Sequence, residues 1–309
     1  MTAFGGLELA APSINAAVLR VVTPTGVVTK SKASGALVDI DDQLYLLTNW
    51  HVVTGQRWMT PAQWVGWQET HPGKIPWLPE IDQVRPEALD VQVPLSGKLY
   101  TLARLLLDDP VEEGDGYRHR YAWDDPSVSD PIGLTPPAHD LVCLHLGSAA
   151  NHWSNIISSI ANQHVTLGYQ LDELGLDHGP QVGDRVYIVG YPLQIGLEPT
   201  DPPVWISGSI ATPPDREWNG PRFLIDARTR HGQSGSAVIA YAAAQGGLPP
   251  RHHLLGIYSG RIDEQADIGS VWWIDDLIND VFRGSRRPRP RELADSLDDD
   301  SYILKDIQF

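Results

Sequence analysis

The apolar residues of this chain occur in short runs of valine, isoleucine and leucine, each bounded by residues that favour turns. The 309 residues include 28 glycines and 25 prolines. Closely spaced apolar runs between turn signals are typical of β-sandwiches and β-barrels. We therefore expect an all-β fold. The one stretch with helical periodicity, at residues 275–282, predicts a short helix near the carboxyl end.

One of these turns places a serine between two glycines, in Gly232 to Gly235, directly before an apolar strand. A serine hydroxyl is a weak nucleophile near neutral pH, so it needs a base and an acid that orients the base. Upstream, His51 ends one apolar run and Asp140 opens another. Nucleophile-elbow hydrolases have the order Ser, acid, His and need a glycine where this chain has Ser236. The order here disfavours that class.

At these residues the chain resembles the trypsin-like, chymotrypsin-fold serine peptidases. Thr48 to His51 stands where that family has Thr-x-x-His, and Gly232 to Gly235 where it has Gly-x-Ser-Gly. In motif style the chain is most similar to bacterial HtrA-related, stand-alone cytoplasmic trypsin-like peptidase domains. The resemblance implies two six-stranded antiparallel Greek-key barrels, with the active site in the cleft between them.

The positions of the motifs predict four regions. These are an amino-terminal barrel at 1–146 with His51 and Asp140, a linker at 147–164, a carboxy-terminal barrel with the short helix at 165–283, and a flexible tail at 284–309. The interval between His51 and Asp140 is longer than a compact barrel needs, so we expect an insertion at about 55–138. Its tryptophans form either the core of the insertion or an exposed aromatic surface beside the site; they include Trp58, Trp64, Trp67, Trp77 and Trp123.

The resemblance also implies a role for each site residue. Ser234 attacks the scissile carbonyl, His51 takes and returns the proton, and Asp140 orients the imidazole and stabilises its charged form. The backbone amides of Gly232 and Ser234 bind the oxyanion, and Ser259 supports the triad through a hydrogen bond to the carboxylate. The candidates for the specificity pocket are Arg228, Thr229, Gly260 and Arg261.

Arg228 carries the prediction about specificity. In trypsin itself, the base of the primary pocket is a carboxylate at this position before the nucleophile. A buried guanidinium there, with Arg261 on the pocket wall, would repel lysine and arginine and favours acidic or small uncharged side chains before the scissile bond. The alternative is that Arg228 points to solvent, and that Asp263 or Asp267 supplies a carboxylate instead.

Composition limits the compartment and the partners. Cys143 is the only cysteine, which excludes an intrachain disulfide, and its apolar strand favours a buried thiol. The formal net charge of −16 argues against a surface for nucleic acid. The first residues contain no basic and hydrophobic signal segment, and no apolar run is long enough to span a bilayer. We expect a cytoplasmic protein with neither a nucleic-acid nor a membrane partner.

No phosphate-binding or dinucleotide-binding glycine pattern and no metal-binding histidine spacing occurs in the chain, so we expect neither cofactor nor metal. The sequence thus predicts an intracellular serine endopeptidase that acts on protein or peptide substrates through an acyl-enzyme. Because such an activity endangers its host, we expect a regulatory or activating protein or an upstream protease, in a bacterial stress or defence pathway. The alternative is a catalytically silent trypsin-fold module that binds proteins, which the intact His51, Asp140 and Ser234 disfavour.

Overall fold

The fold is known from a computed structural model, and its described part is built almost entirely of β-strands. The structure describes residues 13, 15–23, 26–40, 42–74, 76, 86–95, 98–106, 109–113, 116–120, 140–148, 153–155, 158, 168–169, 180–192, 202–214, 222–242, 251–262 and 267–274. Fourteen strands and two helices have defined bounds within these ranges, and they are named below in chain order.

Six antiparallel strands form the amino-terminal sheet, in the order β5-β4-β1-β2-β3-β8. They are β1 Ala16–Thr23, β2 Gly26–Ile40, β3 Gln43–Thr48, β4 Ala88–Leu95, β5 Lys98–Leu106 and β8 Val142–Ser148. The two edge strands, β5 and β8, lie against each other, so the sheet curls into a barrel. Every second residue of a strand faces inward. The core consists largely of aliphatic side chains, among them Leu19, Leu37, Leu46, Leu89 and Leu144.

The carboxy-terminal strands form a closed barrel in the order β10-β11-β14-β13-β12-β9. They are β9 Arg185–Gly190, β10 Val204–Ile210, β11 Arg222–Asp226, β12 Ala237–Ala242, β13 Arg251–Arg261 and β14 Ile268–Trp273. Their inward-facing side chains form a separate core that includes Ile188, Phe223, Ile225, Tyr258 and Val271. Together the two barrels confirm the predicted all-β double-barrel fold.

A third core joins the barrels. It contains Val18, Val38 and Leu47 from the first barrel and Val189, Ile239 and Ile257 from the second. A pair of tryptophans adds to this contact: the Trp58 ring packs edge to face on Trp272 of β14 at a centroid distance of 5.2 Å. The guanidinium of Arg222 lies over both rings. The barrels are therefore packed against each other by buried apolar area, which is the main source of stability in such contacts.

The two helices follow β3. Helix α1, Trp50–Thr54, is a single turn that ends at Gly55, and helix α2, Pro61–Thr70, begins at a capping box between Thr60 and Gln63. Strands β6 Asp109–Glu113 and β7 Gly116–Arg120 form a separate hairpin. In the part of the chain that the structure describes, no helix is long and apolar enough to cross a membrane.

The predicted insertion at 55–138 is too large, because strands β4 and β5 lie inside it and belong to the barrel. The alternation of Leu89, Val91 and Val93, all buried, is that of a strand facing a core. Length alone does not distinguish such strands from an insertion. Among the described residues of this interval, helix α2 and the β6–β7 hairpin are the regular elements outside the barrel.

The second barrel also begins later in the chain than the predicted boundary at residue 165. Tyr169 pairs with Val38 of β2 through a parallel bridge, and Gly168 donates a hydrogen bond to the Asn15 side chain. Residues 168–169 therefore lie along the first barrel, and the first strand of the second barrel is β9. The predicted helix at 275–282 and the tail at 284–309 lie outside the described residues.

Candidate active site

His51 lies at the start of helix α1, where β3 ends and the backbone turns. Its Nδ1 lies 2.7 Å from Oδ2 of Asp140, and its backbone N–H donates to Oδ1 of the same carboxylate at 3.0 Å. One carboxylate thus fixes both the position of the helix turn and the orientation of the imidazole ring. With Nδ1 as the donor in this pair, Nε2 is left to act as a base.

Asp140 directly precedes β8 and is almost completely buried, with 1% of its surface exposed. The hydroxyl of Ser259 donates to its Oδ2 at 2.5 Å, and the Asn49 side-chain amide donates to its backbone carbonyl at 2.7 Å. A buried carboxylate is costly unless it accepts several hydrogen bonds. His51 and Ser259 donate these hydrogen bonds, so the buried carboxylate holds the imidazole in one orientation.

Ser234 lies in the turn between β11 and β12. Both neighbouring glycines, Gly232 and Gly235, have positive φ, at 90° and 85°. The turn is held by hydrogen bonds from Ser236 N–H to the Gln233 carbonyl at 2.9 Å and from Gly235 N–H to the Tyr258 carbonyl at 2.8 Å. A Cβ on Gly235 would overlap the Ser34 carbonyl oxygen of β2. Only glycine therefore permits the close approach of the nucleophile turn to the first barrel.

The Ser234 hydroxyl donates to the backbone carbonyl of Ser259 at 3.0 Å. Among the described residues, no hydrogen bond joins it to His51. Ser259 thus binds two members of the predicted triad at once, Asp140 through its hydroxyl and Ser234 through its carbonyl.

The backbone amides of Gly232 and Ser234 have no acceptor within the described ranges. The carbonyl of Gln233 accepts from Ser236, which fixes the peptide that carries the Ser234 amide. Two free amides beside a nucleophilic hydroxyl can stabilise a developing oxyanion. A hydroxyl, an imidazole held by a buried carboxylate and two amides without an acceptor are the kinds of group that acyl transfer uses.

Two residues of the site were not predicted from the sequence. The Ser34 hydroxyl of β2 donates to the Gly232 carbonyl at 3.0 Å and accepts from the Tyr191 N–H at 2.9 Å. The side-chain carbonyl of Gln233 accepts from the Arg230 N–H at 2.9 Å. Both brace the nucleophile turn. The small residues around Ser34 signal a close backbone approach, but nothing in the sequence states which loop approaches.

The pocket candidates differ in exposure. The side chain of Arg228 is 82% exposed and its Nε lies 3.4 Å from Asp267 on the surface. The prediction of a buried guanidinium is therefore wrong, because a long basic side chain retains its hydration by pointing outward. Thr229 is buried, and its hydroxyl is hydrogen-bonded to that of Tyr258. Gly260 and Arg261 are half-buried on β13, and Asp263 lies outside the described residues.

The described tryptophans of the 55–138 interval form neither a single core of an insertion nor a single exposed aromatic surface. Trp64 is buried, Trp67 stacks on His71 with a centroid distance of 4.0 Å, and Trp58 packs between the barrels. Trp77 and Trp123 lie outside the described residues. Cys143 packs against the core that joins the barrels, and burial raises the pKa of its thiol. The described residues contain no cluster of metal-binding side chains.

A family model described as trypsin-like peptidase domain matches residues 25–245. No curated protein matches the chain by sequence. Two of the solved structures to which the chain is similar are proteases. The serine endoprotease of Yersinia pestis has 15% identity over 90% of this chain and 66% of that chain, with a TM-score of 0.45. The active form of the Rv3671c protease from M. tuberculosis has 15% identity over 87% of this chain and 81% of that chain, with a TM-score of 0.41.

Proposed function

The chain belongs to the family of trypsin-like peptidase domains, and we propose that its serine endopeptidase activity runs through a triad of His51, Asp140 and Ser234. The observation that carries this proposal is the buried Asp140 carboxylate, which accepts from both the imidazole of His51 and the hydroxyl of Ser259. Ser259 in turn contacts Ser234 through its carbonyl. All three proposed triad residues thus lie in one hydrogen-bonded group at the junction of the two barrels.

In the proposed mechanism the Ser234 hydroxyl turns from the Ser259 carbonyl towards Nε2 of His51. As Oγ attacks the scissile carbonyl, its proton moves to Nε2, and Asp140 stabilises the imidazolium. The free amides of Gly232 and Ser234 bind the oxyanion. His51 then donates the proton to the leaving amine as the C–N bond breaks. Water, deprotonated by His51, hydrolyses the acyl-enzyme and restores the hydroxyl of Ser234.

We further propose that a partner or an upstream protease controls this activity inside a bacterial cell, in stress or defence. The resting contact of Ser234 with Ser259 supports this proposal, because the hydroxyl must change rotamer before His51 can accept its proton. The single cysteine is consistent with a reducing compartment. A partner that shifts the Ser234 rotamer would raise the rate without altering the triad itself.

Labelling with a fluorophosphonate probe tests the triad, since the probe reacts with an activated serine whatever the substrate specificity. The wild-type protein should be labelled at Ser234, and limited proteolysis or a cell extract should accelerate the reaction. Ser234→Ala is the matched control: it should melt as the wild type does and remain unlabelled. If the wild type is labelled no faster than Ser234→Ala under either condition, the protein acts as the silent binding module instead.

A further inference from the structure

Asn49 lies between strand β3 and helix α1, at the cap position of the helix and two residues before His51. A cap side chain normally accepts a hydrogen bond from an N–H of the first helical turn. The Asn49 side chain accepts no such bond. The N–H of His51, the second residue of the helix, donates instead to Oδ1 of Asp140 at 3.0 Å. The Asp140 carboxylate therefore takes the place of the cap side chain.

The Asn49 side chain is hydrogen-bonded to the backbone of Asp140. Its Nδ2 donates to the Asp140 carbonyl at 2.7 Å. His51 makes two further contacts with the same residue, from its N–H to Oδ1 and from Nδ1 to Oδ2, the latter at 2.7 Å. Residues 49–51 thus hold both the backbone and the carboxylate of Asp140, and the Asn49 amide supplies the bond to the backbone.

These bonds lie just beyond the end of a strand pair. Strands β3 and β8 are paired up to Thr48 and Val142. Asn49 directly follows the first of these residues, and Asp140 lies two positions before the second. The bond from Asn49 therefore continues the contact between the two segments past the sheet, to the residue whose carboxylate meets the imidazole.

The orientation of the Asn49 amide has an energetic cost. The residue is completely buried, with 0% of its surface exposed. A backbone carbonyl can only accept, so the amide must present Nδ2 to Asp140, and Oδ1 then points away. This Oδ1 is buried without a partner among the described residues, which is unfavourable. An asparagine that capped the helix would satisfy its oxygen. The donor Nδ2 is thus the atom of this side chain that the site uses.

We infer that Asn49 is a positioning residue of the proposed triad, whose amide holds the backbone of Asp140 where the carboxylate can orient His51. The inference rests on the proposed function, because Asn49 acts on catalysis only through Asp140. Without the amide, the buried Asp140 carbonyl loses this donor and the residue shifts. A shift of about 1 Å in a catalytic group can cost about 10²-fold in rate. The loss should appear in kcat with little change in KM, because the contact holds the triad and not the substrate.

Kinetics with peptide p-nitroanilides test this inference, on the one that the wild type cleaves with the highest kcat/KM. Asn49→Ala should lower kcat by about tenfold or more and change KM by less than about twofold. Asn49→Asp has the shape and the capping ability of asparagine but, as a carboxylate, cannot donate, so it should show a similar loss. Thr54→Val, the control, removes a buried hydroxyl that bonds to Trp50 in the same helix. It should lower the melting temperature and leave kcat unchanged.

A double-mutant cycle with Asp140→Asn separates positioning from a general effect on the fold. In that background the imidazole has already lost its orienting acid, so Asn49→Ala should change kcat by less than about twofold. An equal loss in both backgrounds, or an Asn49→Ala protein with the kcat of the wild type, overturns the inference. If Asn49→Ala does not fold, Asn49→Asp replaces it in the cycle and the same outcomes decide.

Fluorophosphonate labelling distinguishes this failure from that of the proposed function. A wild type that labels at Ser234, together with an Asn49→Ala protein that labels as fast, overturns the inference and leaves the triad intact. A wild type that does not label at Ser234, even after limited proteolysis, overturns the proposed function and the inference with it.

Discussion

Ser34 and Gly232 are 198 positions apart in the chain, and the hydroxyl of Ser34 donates a hydrogen bond of 3.0 Å to the carbonyl of Gly232. The same hydroxyl accepts from Tyr191 N–H at 2.9 Å, and the Ser34 N–H donates to the Ser234 carbonyl at 2.9 Å. Strand β2 of the first barrel thus braces both ends of the turn that carries Ser234, the proposed nucleophile. The geometry of the proposed oxyanion site depends on how the barrels pack, and not on its own loop alone.

Replacing Ser34 by alanine should therefore impair catalysis more than binding. The Gly232 carbonyl and the Tyr191 N–H would lose a buried partner, at a cost of about 1–3 kcal/mol for an unsatisfied group. Because loss of an oxyanion donor costs about 10²–10³ in rate, a misplaced donor should lower kcat by about tenfold or more, with little change in KM. Thr101→Ala, which removes a hydroxyl bonded to Gln92 in the same barrel, is the control. A folded Ser34→Ala protein with the kcat of the wild type would contradict this role.

The hydroxyl of Ser259 should matter through Asp140. Its hydrogen bond to the buried carboxylate is charge-assisted, and such bonds contribute about 1.5–3 kcal/mol. Ser259→Ala should thus lower kcat by about 10- to 100-fold, and Ser259→Thr, which keeps a hydroxyl, should restore most of the rate. An alanine variant as fast as the wild type would remove Ser259 from the triad support.

Asp140→Asn should lower kcat much further, by about 10⁴. An asparagine amide that donates to Nδ1 of His51 would force the proton onto Nε2, which then cannot accept one from Ser234. Steady-state kinetics on the best p-nitroanilide, with circular dichroism as the check on folding, measure the effect. Activity within about tenfold of the wild type would mean that another group orients His51.

Two glycine-to-alanine substitutions should have opposite effects on stability. A Cβ on Gly190 would overlap the Ser236 hydroxyl and lie 2.6 Å from that of Ser34, so Gly190→Ala should destabilise the barrel junction and reduce activity. Gly66 lies within helix α2 with nothing inside 4 Å of an added Cβ. Gly66→Ala should stabilise the protein by about 0.5–1 kcal/mol. Urea unfolding measures both, and a Gly190→Ala protein as stable as the wild type would show that the junction is loose.

The sequence predicts the local features of this molecule well. The strand period, the glycines around Ser234 and the apolar runs before His51 and after Asp140 are all properties of neighbouring residues. The strand period was sufficient for the all-β fold, and the resemblance at Thr48 to His51 and Gly232 to Gly235 implied the double barrel and the three side chains that the structure brings to its junction. Strands β4 and β5 were not predicted, because the length of the interval between His51 and Asp140 favours an insertion.

The direction of a side chain and contacts between distant residues could not be predicted in this way. Arg228 occupies the position of a pocket base in the sequence, yet its side chain is exposed and lies beside Asp267. Tyr258 reaches Thr229 only because β13 and the 227–230 segment are adjacent in the folded barrel. Both depend on tertiary packing, which no window of sequence contains.

Stability should fall as the pH drops below about 6.5, in part through His145 of β8. Its Nε2 lies 2.9 Å from the Gln43 side-chain oxygen, while Nδ1 is buried with no partner among the described residues. Burial lowers the pKa of His145 in the folded state, because protonation would place an unpaired N–H and a charge in the sheet. Above the ordinary histidine pKa, both the folded and the unfolded protein are neutral at this residue.

As the pH falls through that ordinary value, the unfolded chain takes up the proton first, so the free energy of unfolding decreases. Urea unfolding at pH 7.5 and pH 5.5 should show this loss in the wild type. His145→Gln keeps a donor for Gln43 but cannot take up a proton, so its loss over the same interval should be smaller. Equal losses in the two proteins would show that His145 titrates alike in both states, and that the acid sensitivity arises elsewhere.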